Sequence, residues 1–248
     1  MNENDQRIHI SLRELPPTCK GLLIAVEGVD GAGKSSVINQ IKKWLEEKNY
    51  NVVVCKFRES ECVKHVMQVL CNSGFYTLLS AVINLSTEFA YKTDMLILPN
   101  LKKGNIVLCD RYCYTTFARE AVRGIDLKLL TEIYSFAYRP NLVINLSIPE
   151  SVAYNRIIAA KRAIDFWECG LDIFLQQDLS LALKKYAECK CGDEIIRQSF
   201  LFFLSKVKQN YEEIFQKEMC IKINAENGFN DVVFEVMQRI TPLLPTRP

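Results

Sequence analysis

The feature that most constrains the fold of this chain is a glycine-rich stretch, EGVDGAGKSS, at residues 27–36. It directly follows the apolar run LLIAVE and directly precedes apolar residues at helical spacing. Each glycine gives up backbone entropy on folding, so three in ten residues need a structural reason. Gly28, followed after four residues by Gly33, Lys34 and Ser35, matches the P-loop spacing. In such a loop, backbone N–H groups converge on phosphate at the N-terminus of a helix.

The P-loop pattern predicts binding of a nucleoside triphosphate. Lys34 would reach the β- and γ-phosphates, and the Ser35 hydroxyl would bind Mg²⁺. The residues expected around the phosphates are Gly28, Val29, Asp30, Gly31, Ala32, Gly33, Lys34, Ser35 and Ser36. An ordinary glycine-rich turn is the alternative, and the strand before and helix after favour the phosphate-binding interpretation. The pattern alone does not distinguish a kinase from an ATPase, a GTPase or a sensor.

Short apolar runs alternate with helical patterns along the rest of the chain. Strands are predicted at 22–27, 52–57, 106–109, 142–147 and 219–224. Helical patterns cover 62–101 with loops near 72–74 and 99–100, then 126–138, then 150–217 with breaks at 169–170 and 191–192. Strands that alternate with helices predict an α/β fold, with a parallel sheet covered by helices on both faces.

Composition excludes several classes of protein. The 248 residues are 49% hydrophobic and 24% charged, as in ordinary globular domains, and a net charge of +2 creates no basic field for nucleic acid or an anionic membrane. The first twenty residues are polar and charged, unlike a secretory signal, and no apolar run is long enough to span a bilayer. The ten cysteines follow no zinc spacing. We therefore expect a cytoplasmic protein with free thiols and without nucleic-acid or membrane partners.

A second charged pair, in the stretch IVLCDRY, lies at the end of the third predicted strand. Ligands of open α/β sheets bind beyond the carboxyl ends of the strands, so Asp110 could hold Mg²⁺ and Arg111 could clamp a second phosphate. A surface ion pair is the alternative. Asp30, inside the glycine-rich loop, is either a turn-forming residue or a side chain that points toward a second substrate.

Other basic residues complete a possible phosphoryl-transfer site. Transfer needs donor and acceptor held in line, with positive charge over the moving group. Arg58 and Lys92 join Asp30 and Arg111 as candidates on the acceptor side. A helix after the fourth strand carries basic residues that could form a mobile lid, and the alternative is a solvated helix face. These residues are Arg156, Lys161 and Arg162.

Together these motifs resemble the thymidylate kinase family. EGVDGAGKSS, CDRY and RPNLVINLSIPESVAYNRI carry the resemblance, which covers about residues 21–240, and CDRYCYTTFAREAVRG and FWECGLDIF resemble a bacterial subgroup. The resemblance implies a three-layer P-loop NTPase fold with five parallel strands and a helical lid. It also implies a Mg²⁺-ATP donor, a deoxynucleoside 5′-monophosphate acceptor, most simply dTMP, and often a homodimer.

The resemblance also implies roles for particular residues. Asp30 would contact the acceptor sugar, Arg111 the acceptor phosphate, and Arg162 would belong to the lid. The expected catalytic residues are Lys34, Asp110, Arg111 and Arg162, with Ser35 and Asp110 as Mg²⁺ ligands. The expected substrate-binding residues are Asp30, Arg58, Phe89, Lys92, Arg111 and Arg119.

The sequence patterns and the resemblance together predict a division of the chain. Residues 1–20 would form a loosely held N-terminal arm, and 21–242 the kinase domain. Within that domain the lid is expected at about 156–170 and an insertion at about 171–195. Residues 243–248 would form a tail.

The region that would recognise the base departs from the family. Lys92 stands where an arginine usually reads thymine, Glu88 where an aromatic residue usually stacks, and Phe89 is its neighbour. Arg119 and Glu120 stand where a tyrosine and a polar residue are common. Because lysine cannot copy the planar fork of arginine, three alternatives stay open. They are a kinase of another monophosphate such as dUMP, a deoxynucleoside kinase, and a catalytically silent nucleotide-binding protein.

Overall fold

A five-stranded parallel sheet forms the centre of the protein. The computed structural model describes residues 10–58, 60–73, 77–177, 179–188, 192–216 and 219–245. The strands are β1 Leu22–Gly28, β2 Val52–Lys56, β3 Ile106–Asp110, β4 Leu142–Ser147 and β5 Cys220–Asn224. Their order is β2-β3-β1-β4-β5, and every neighbouring pair is parallel. The predicted α/β fold and its five strands are confirmed.

The register of the sheet brings three strand ends together. β1 lies in the middle of the sheet, all of its residues are buried, and it pairs with both β3 and β4. Val26 pairs with Asp110, which also pairs with Lys56 of β2. The glycine-rich loop after β1 therefore begins beside the acidic end of β3, at the edge where open sheets bind ligands.

Twelve α-helices surround the sheet in the described parts of the chain. They are α1 Lys34–Glu47, α2 Glu61–Ser73, α3 Leu78–Lys92, α4 Leu98–Lys102, α5 Cys113–Val122, α6 Leu127–Ile133, α7 Glu150–Ala159, α8 Phe166–Cys169, α9 Leu171–Phe174, α10 Leu179–Ala187, α11 Asp193–Phe215 and α12 Phe229–Ile240. The chain moves from β1 to β2 in one direction across the sheet, and from β3 through β4 to β5 in the other. Because such crossovers are right-handed, α1 lies on one face and α5 to α11 on the other.

The predicted loop at Pro99-Asn100 is wrong, because the backbone stays helical there. A π-helical segment at Thr93–Ile97 continues α3 directly into α4. Pro99 lies in the first turn of α4, directly after the π-helical segment, and because proline has no N–H group the continuous helix makes one backbone hydrogen bond fewer there. In the other predicted loop, Asn72 and Ser73 still belong to α2, and 74–76 lie outside the described residues.

The helix predicted over 126–138 is too long, and the N-terminal arm explains why. Helix α6 ends at Ile133. Beyond it, the Arg13 N–H donates to the Ala137 carbonyl at 2.8 Å, and the Arg139 N–H donates to the Arg13 carbonyl at 2.7 Å. This strand-like pairing uses the backbone groups that a longer helix would need. The side chains of Ile10 and Leu12 are buried, so residues 10–20 are not loosely held as expected.

The tract between β4 and β5 has both predicted breaks. Gly170 separates α8 from α9, and α11 begins after Gly192. A side chain at Gly170 would place its Cβ 2.3 Å from the Phe203 ring, so this break brings α8 and α11 into close contact. A further break at 160–165 separates α7 from α8. No helix in the described parts of the chain is long and apolar enough to cross a membrane.

Candidate active site

The glycine-rich loop connects β1 to α1 by a tight path. Gly33 is the N-cap of α1 and has a φ of 90°, a conformation that side chains with a Cβ rarely adopt. Gly31 has a φ of 82°, and a Cβ there would lie 2.5 Å from the Ala153 carbonyl oxygen of α7. The glycines thus allow the loop to turn against α7, and the first turn of α1 is of the kind that can offer backbone N–H groups to an anion.

Lys34 folds back over the loop that precedes it. Its Nζ donates to the carbonyl oxygens of Gly28 and Val29, each at 2.9 Å. Burial, together with the nearby Arg111 guanidinium, lowers the pKa of Lys34 to about 8, although neighbouring carboxylates oppose the shift. The ammonium group is therefore held at the loop by two neutral acceptors, which an anionic phosphate oxygen could replace.

Ser35 and Asp110 meet across the edge of the sheet. The Ser35 hydroxyl donates to Asp110 Oδ2 at 2.6 Å, which joins the start of α1 to the end of β3. No group of three or more His, Cys, Asp or Glu side chains is arranged to hold a metal in the described residues. A hydroxyl and one carboxylate nonetheless fit Mg²⁺, which usually takes one or two protein oxygens and completes its shell with water and phosphate.

Asp30 is neutralised by two arginines. Its Oδ1 accepts from Arg111, and its Oδ2 accepts from Arg119 Nη1 at 2.8 Å. Burial alone would raise the pKa of Asp30, but the two guanidinium groups hold it well below its usual range. This pairing explains how a carboxylate can lie inside a phosphate-binding loop, since two guanidinium groups compensate its charge.

Glu27, which the sequence analysis did not single out, binds the start of α5, directly after Asp110 and Arg111 in the chain. Its side chain is fully buried and accepts from the Tyr112 N–H at 2.8 Å, the Thr115 hydroxyl at 2.6 Å and the Tyr211 hydroxyl at 2.9 Å. Burial raises the pKa of Glu27. The carboxyl group thereby caps the start of α5 from β1. A charged residue at the end of an all-apolar strand was the signal that could have found it.

Of the three basic residues proposed for a lid, one reaches the loop. Arg162, with 45% of its side chain exposed, pairs through Nη1 with both carboxylate oxygens of Glu168 at 2.7 Å. Arg156 instead donates to the Ala225 carbonyl at 2.8 Å. Burial, with Asp30 and Asp165 nearby, raises the pKa of Glu168. Glu168 thus holds Arg162 beside the glycine-rich loop through a partly exposed ion pair, which could open when a ligand binds.

Two cavities lie side by side above the carboxyl edge of the sheet. One, of about 440 Å³, is lined by the glycine-rich loop together with Lys34, Asp110 and Arg162. The other, of about 420 Å³, is lined by Arg58, Arg119 and an apolar wall from α2, α3 and Trp167. The residues that line both are Asp30, Phe57, Arg111 and Glu168. Two ligands could therefore meet at Arg111.

The structure does not bring every expected substrate-binding residue to these cavities. Lys92 lines neither cavity, because its ammonium group pairs with Glu88 one turn earlier on α3 and donates to the Lys56 carbonyl. Phe89 is buried, with its ring stacked on Phe57 at 4.6 Å between centroids. Phe89 therefore packs against Phe57 and lines a small inner cavity rather than either of the two larger ones.

An ion pair anchors the start of the expected insertion. Arg123 of α5 donates through Nε to Asp172 of α9 at 3.0 Å, and both side chains are buried. The guanidinium group also lies 4.5 Å from the Phe203 ring centroid and 5.3 Å from that of Trp167. Sequence reasoning missed this contact because its partners lie 49 positions apart.

Comparison with known proteins gives a consistent result. The family model described as thymidylate kinase matches residues 26–168. A probable thymidylate kinase 2 from Saccharolobus solfataricus is 31% identical over 218 residues, which cover 88% of this chain and 94% of that protein. A probable thymidylate kinase from Pyrococcus horikoshii is 32% identical over 144 residues (56% and 70%), and a thymidylate kinase from Akkermansia muciniphila is 35% identical over 139 residues (56% and 68%).

Proposed function

The chain belongs to the thymidylate kinase family, and we propose that it transfers the γ-phosphoryl group of ATP to dTMP, giving ADP and dTDP. It is an enzyme of the nucleoside monophosphate kinase class. The observation that carries the reaction is the pair of cavities that share Asp30 and Arg111. A donor beside the glycine-rich loop and an acceptor beside Arg58 would have their reacting phosphates at this shared wall, as in-line transfer requires.

The cavity beside α1 is the proposed ATP site. Backbone N–H groups of the loop bind the phosphate chain, and Lys34 exchanges its two carbonyl partners for phosphate oxygens. Ser35 and Asp110 are the proposed ligands of Mg²⁺, which neutralises charge on the β- and γ-phosphates when bound. Glu27 maintains the position of Asp110 by holding the start of α5.

The cavity beside α2 and α3 is the proposed acceptor site. Arg111 and Arg58 supply positive charge for the monophosphate, and Asp30 orients Arg111 through their ion pair. Arg119 is itself bonded to Asp30 and to the Trp167 carbonyl, so we propose that it shapes the acceptor site as well as contacting the nucleotide. Asp30 is proposed to meet the sugar, and Phe57, supported from behind by Phe89, to form an aromatic wall of the cavity.

Closure of the 156–170 segment is proposed to complete the site. Arg162 is paired with Glu168 without ligand, and the γ-phosphate would draw it into the donor cavity. A guanidinium there stabilises charge on the transferring group, and closure excludes water.

A panel assay tests the proposed function. Purified protein is given Mg²⁺-ATP and each of dTMP, dUMP, dCMP, dGMP and thymidine, and ADP release is measured. We expect dTMP to have the highest kcat/KM. A higher value for dUMP would keep the chemistry and change the substrate. ATP binding without transfer to any acceptor would refute the proposed function.

We also propose a cytoplasmic homodimer. Cys55 and Cys109 face each other in register on β2 and β3 and remain free thiols, which is typical of a reducing compartment. One face of α3 and the segment after it carries exposed apolar residues four positions apart. They are Leu79 and Ile83, each 47% exposed, and Tyr91 and Met95, each 64% exposed.

Light scattering tests the dimer. Wild-type protein is expected to have twice the mass of one chain, and Ile83→Asp to be monomeric because a buried carboxylate would oppose association. Phe234→Asp, at a similarly exposed apolar residue on α12, is the matched control. If Ile83→Asp and Phe234→Asp have the same mass in solution, the proposed interface on α3 is wrong.

A further inference from the structure

The buried carboxylate of Glu88, on α3, lies beside the acceptor cavity, and one of its oxygens accepts no hydrogen bond from the described residues. Glu88 is 4% exposed and lines a small inner cavity. The residues that line both this cavity and the acceptor cavity are Phe57, Arg58, Leu85 and Arg111. The inner cavity is therefore the floor of the proposed nucleotide site, on the side of α3.

The two oxygens of Glu88 have different surroundings. Oε1 accepts from the Ser60 N–H at 3.1 Å and from the Lys92 ammonium group. Oε2 is buried and has no hydrogen-bond partner among the described residues. A buried acceptor without a donor costs free energy, so such a group calls for a partner that arrives with a ligand.

The orientation of the carboxylate is set before any ligand binds. Ser60 approaches from the segment after β2, and Lys92 from the next turn of α3. Because both bonds use Oε1, the carboxylate cannot turn without losing them. A preorganised acceptor of this kind discriminates between ligands that carry a donor at one position and ligands that do not.

We propose that Glu88 Oε2 accepts a hydrogen bond from N3–H of the thymine base, which makes Glu88 a specificity-determining residue. This inference rests on the proposed function, since it concerns the acceptor site of the same reaction. Thymine carries a hydrogen at N3, whereas cytosine has a lone pair there that would face the carboxylate.

The substitution Glu88→Gln tests this role. A glutamine keeps the shape of the side chain, and its amide can donate to cytosine N3. We expect the ratio of kcat/KM for dTMP to that for dCMP to fall at least about tenfold, the loss of one hydrogen bond to a charged group. The change should come mainly from the acceptor KM, with the KM for ATP unchanged. Glu46→Gln, which breaks a solvent-exposed pair of the same spacing on α1, is the matched control.

The outcomes separate this inference from the proposed function. Failure of wild-type protein to phosphorylate dTMP would refute the proposed function and, with it, thymine recognition by Glu88. Normal dTMP turnover with an unchanged ratio in Glu88→Gln would overturn the role of Glu88 alone, because a merely structural carboxylate would lower both activities equally.

A modified substrate gives a test that needs no folded variant. The N3-methyl analogue of dTMP has a methyl group in place of the N3 hydrogen and keeps both carbonyl groups, so it cannot donate a hydrogen bond from N3. We expect wild-type protein to bind it at least about tenfold more weakly than dTMP. Equal affinity for the two nucleotides would overturn the inference.

Discussion

Replacement of Arg119 by methionine should destabilise the protein strongly, because this arginine joins three parts of the site. It is 2% exposed, pairs with Asp30 at 2.8 Å and donates to the Trp167 carbonyl. Its guanidinium group also lies 5.1 Å from the centroid of the Phe203 ring. Methionine replaces the apolar part of the arginine side chain, but it leaves Asp30 Oδ2 and the Trp167 carbonyl without the hydrogen bonds that Arg119 donates.

The magnitude follows from burial. Removal of one partner from a buried ion pair costs about 3–5 kcal/mol. Asp30 retains Arg111, so the lower end applies, about 3 kcal/mol of unfolding free energy. In a chain of this size, each kcal/mol corresponds to about 2–4 °C in Tm. We therefore expect Tm to fall by about 6–12 °C.

Scanning calorimetry measures this change, with a surface pair as the control. Arg197→Met breaks a pair at 3.2 Å in which the arginine side chain is 46% exposed, so its cost should stay below about 1 kcal/mol. A double-mutant cycle with Asp30→Asn should give a coupling energy of about 1 kcal/mol or more. A Tm for Arg119→Met within about 2 °C of wild type would refute the argument from burial.

Three further predictions concern catalysis. Lys34→Ala should abolish phosphoryl transfer and leave the circular dichroism spectrum unchanged. Retained activity would refute the assignment of residues 28–36 as the ATP-binding loop. Arg111→Ala should raise the KM for the acceptor more than that for ATP, and equal changes would make Arg111 merely structural. The lowered pKa of Lys34, about 8, means that the free enzyme loses this proton as pH rises through that value. Phosphate favours the charged ammonium, so ATP affinity measured by calorimetry should fall above about pH 8. Lys34→Arg should remove this inflection, and an inflection that survives would come from another group.

The strands and the glycine-rich loop could be predicted because their signals are local. A nearly all-apolar run such as LLIAVE predicts a strand buried on both faces, and the P-loop spacing predicts a tight turn at which glycines are needed. Asp110 and Arg111 could be placed near the loop because they follow a strand, and the carboxyl ends of parallel strands share one edge.

Errors and omissions occurred where a distant segment decided the local structure. The helix predicted over 126–138 ends at Ile133 because Arg13 takes the backbone groups beyond it. Phe89 was a candidate for contact with the base, yet it is buried behind Phe57. Glu27 was overlooked because each of its hydrogen-bond partners lies more than eighty positions away.

The sequence by itself therefore determined the fold class, the phosphate-binding loop and the family. Each of these depends on a few consecutive residues and on the geometry of strands and helices. Only the tertiary structure decided which charges neutralise one another. Asp30 meets an arginine 89 positions away, and Glu88 keeps one oxygen unpaired at the floor of a cavity. Such pairings depend on burial and on distances between side chains from different elements, and these arise only when the elements pack.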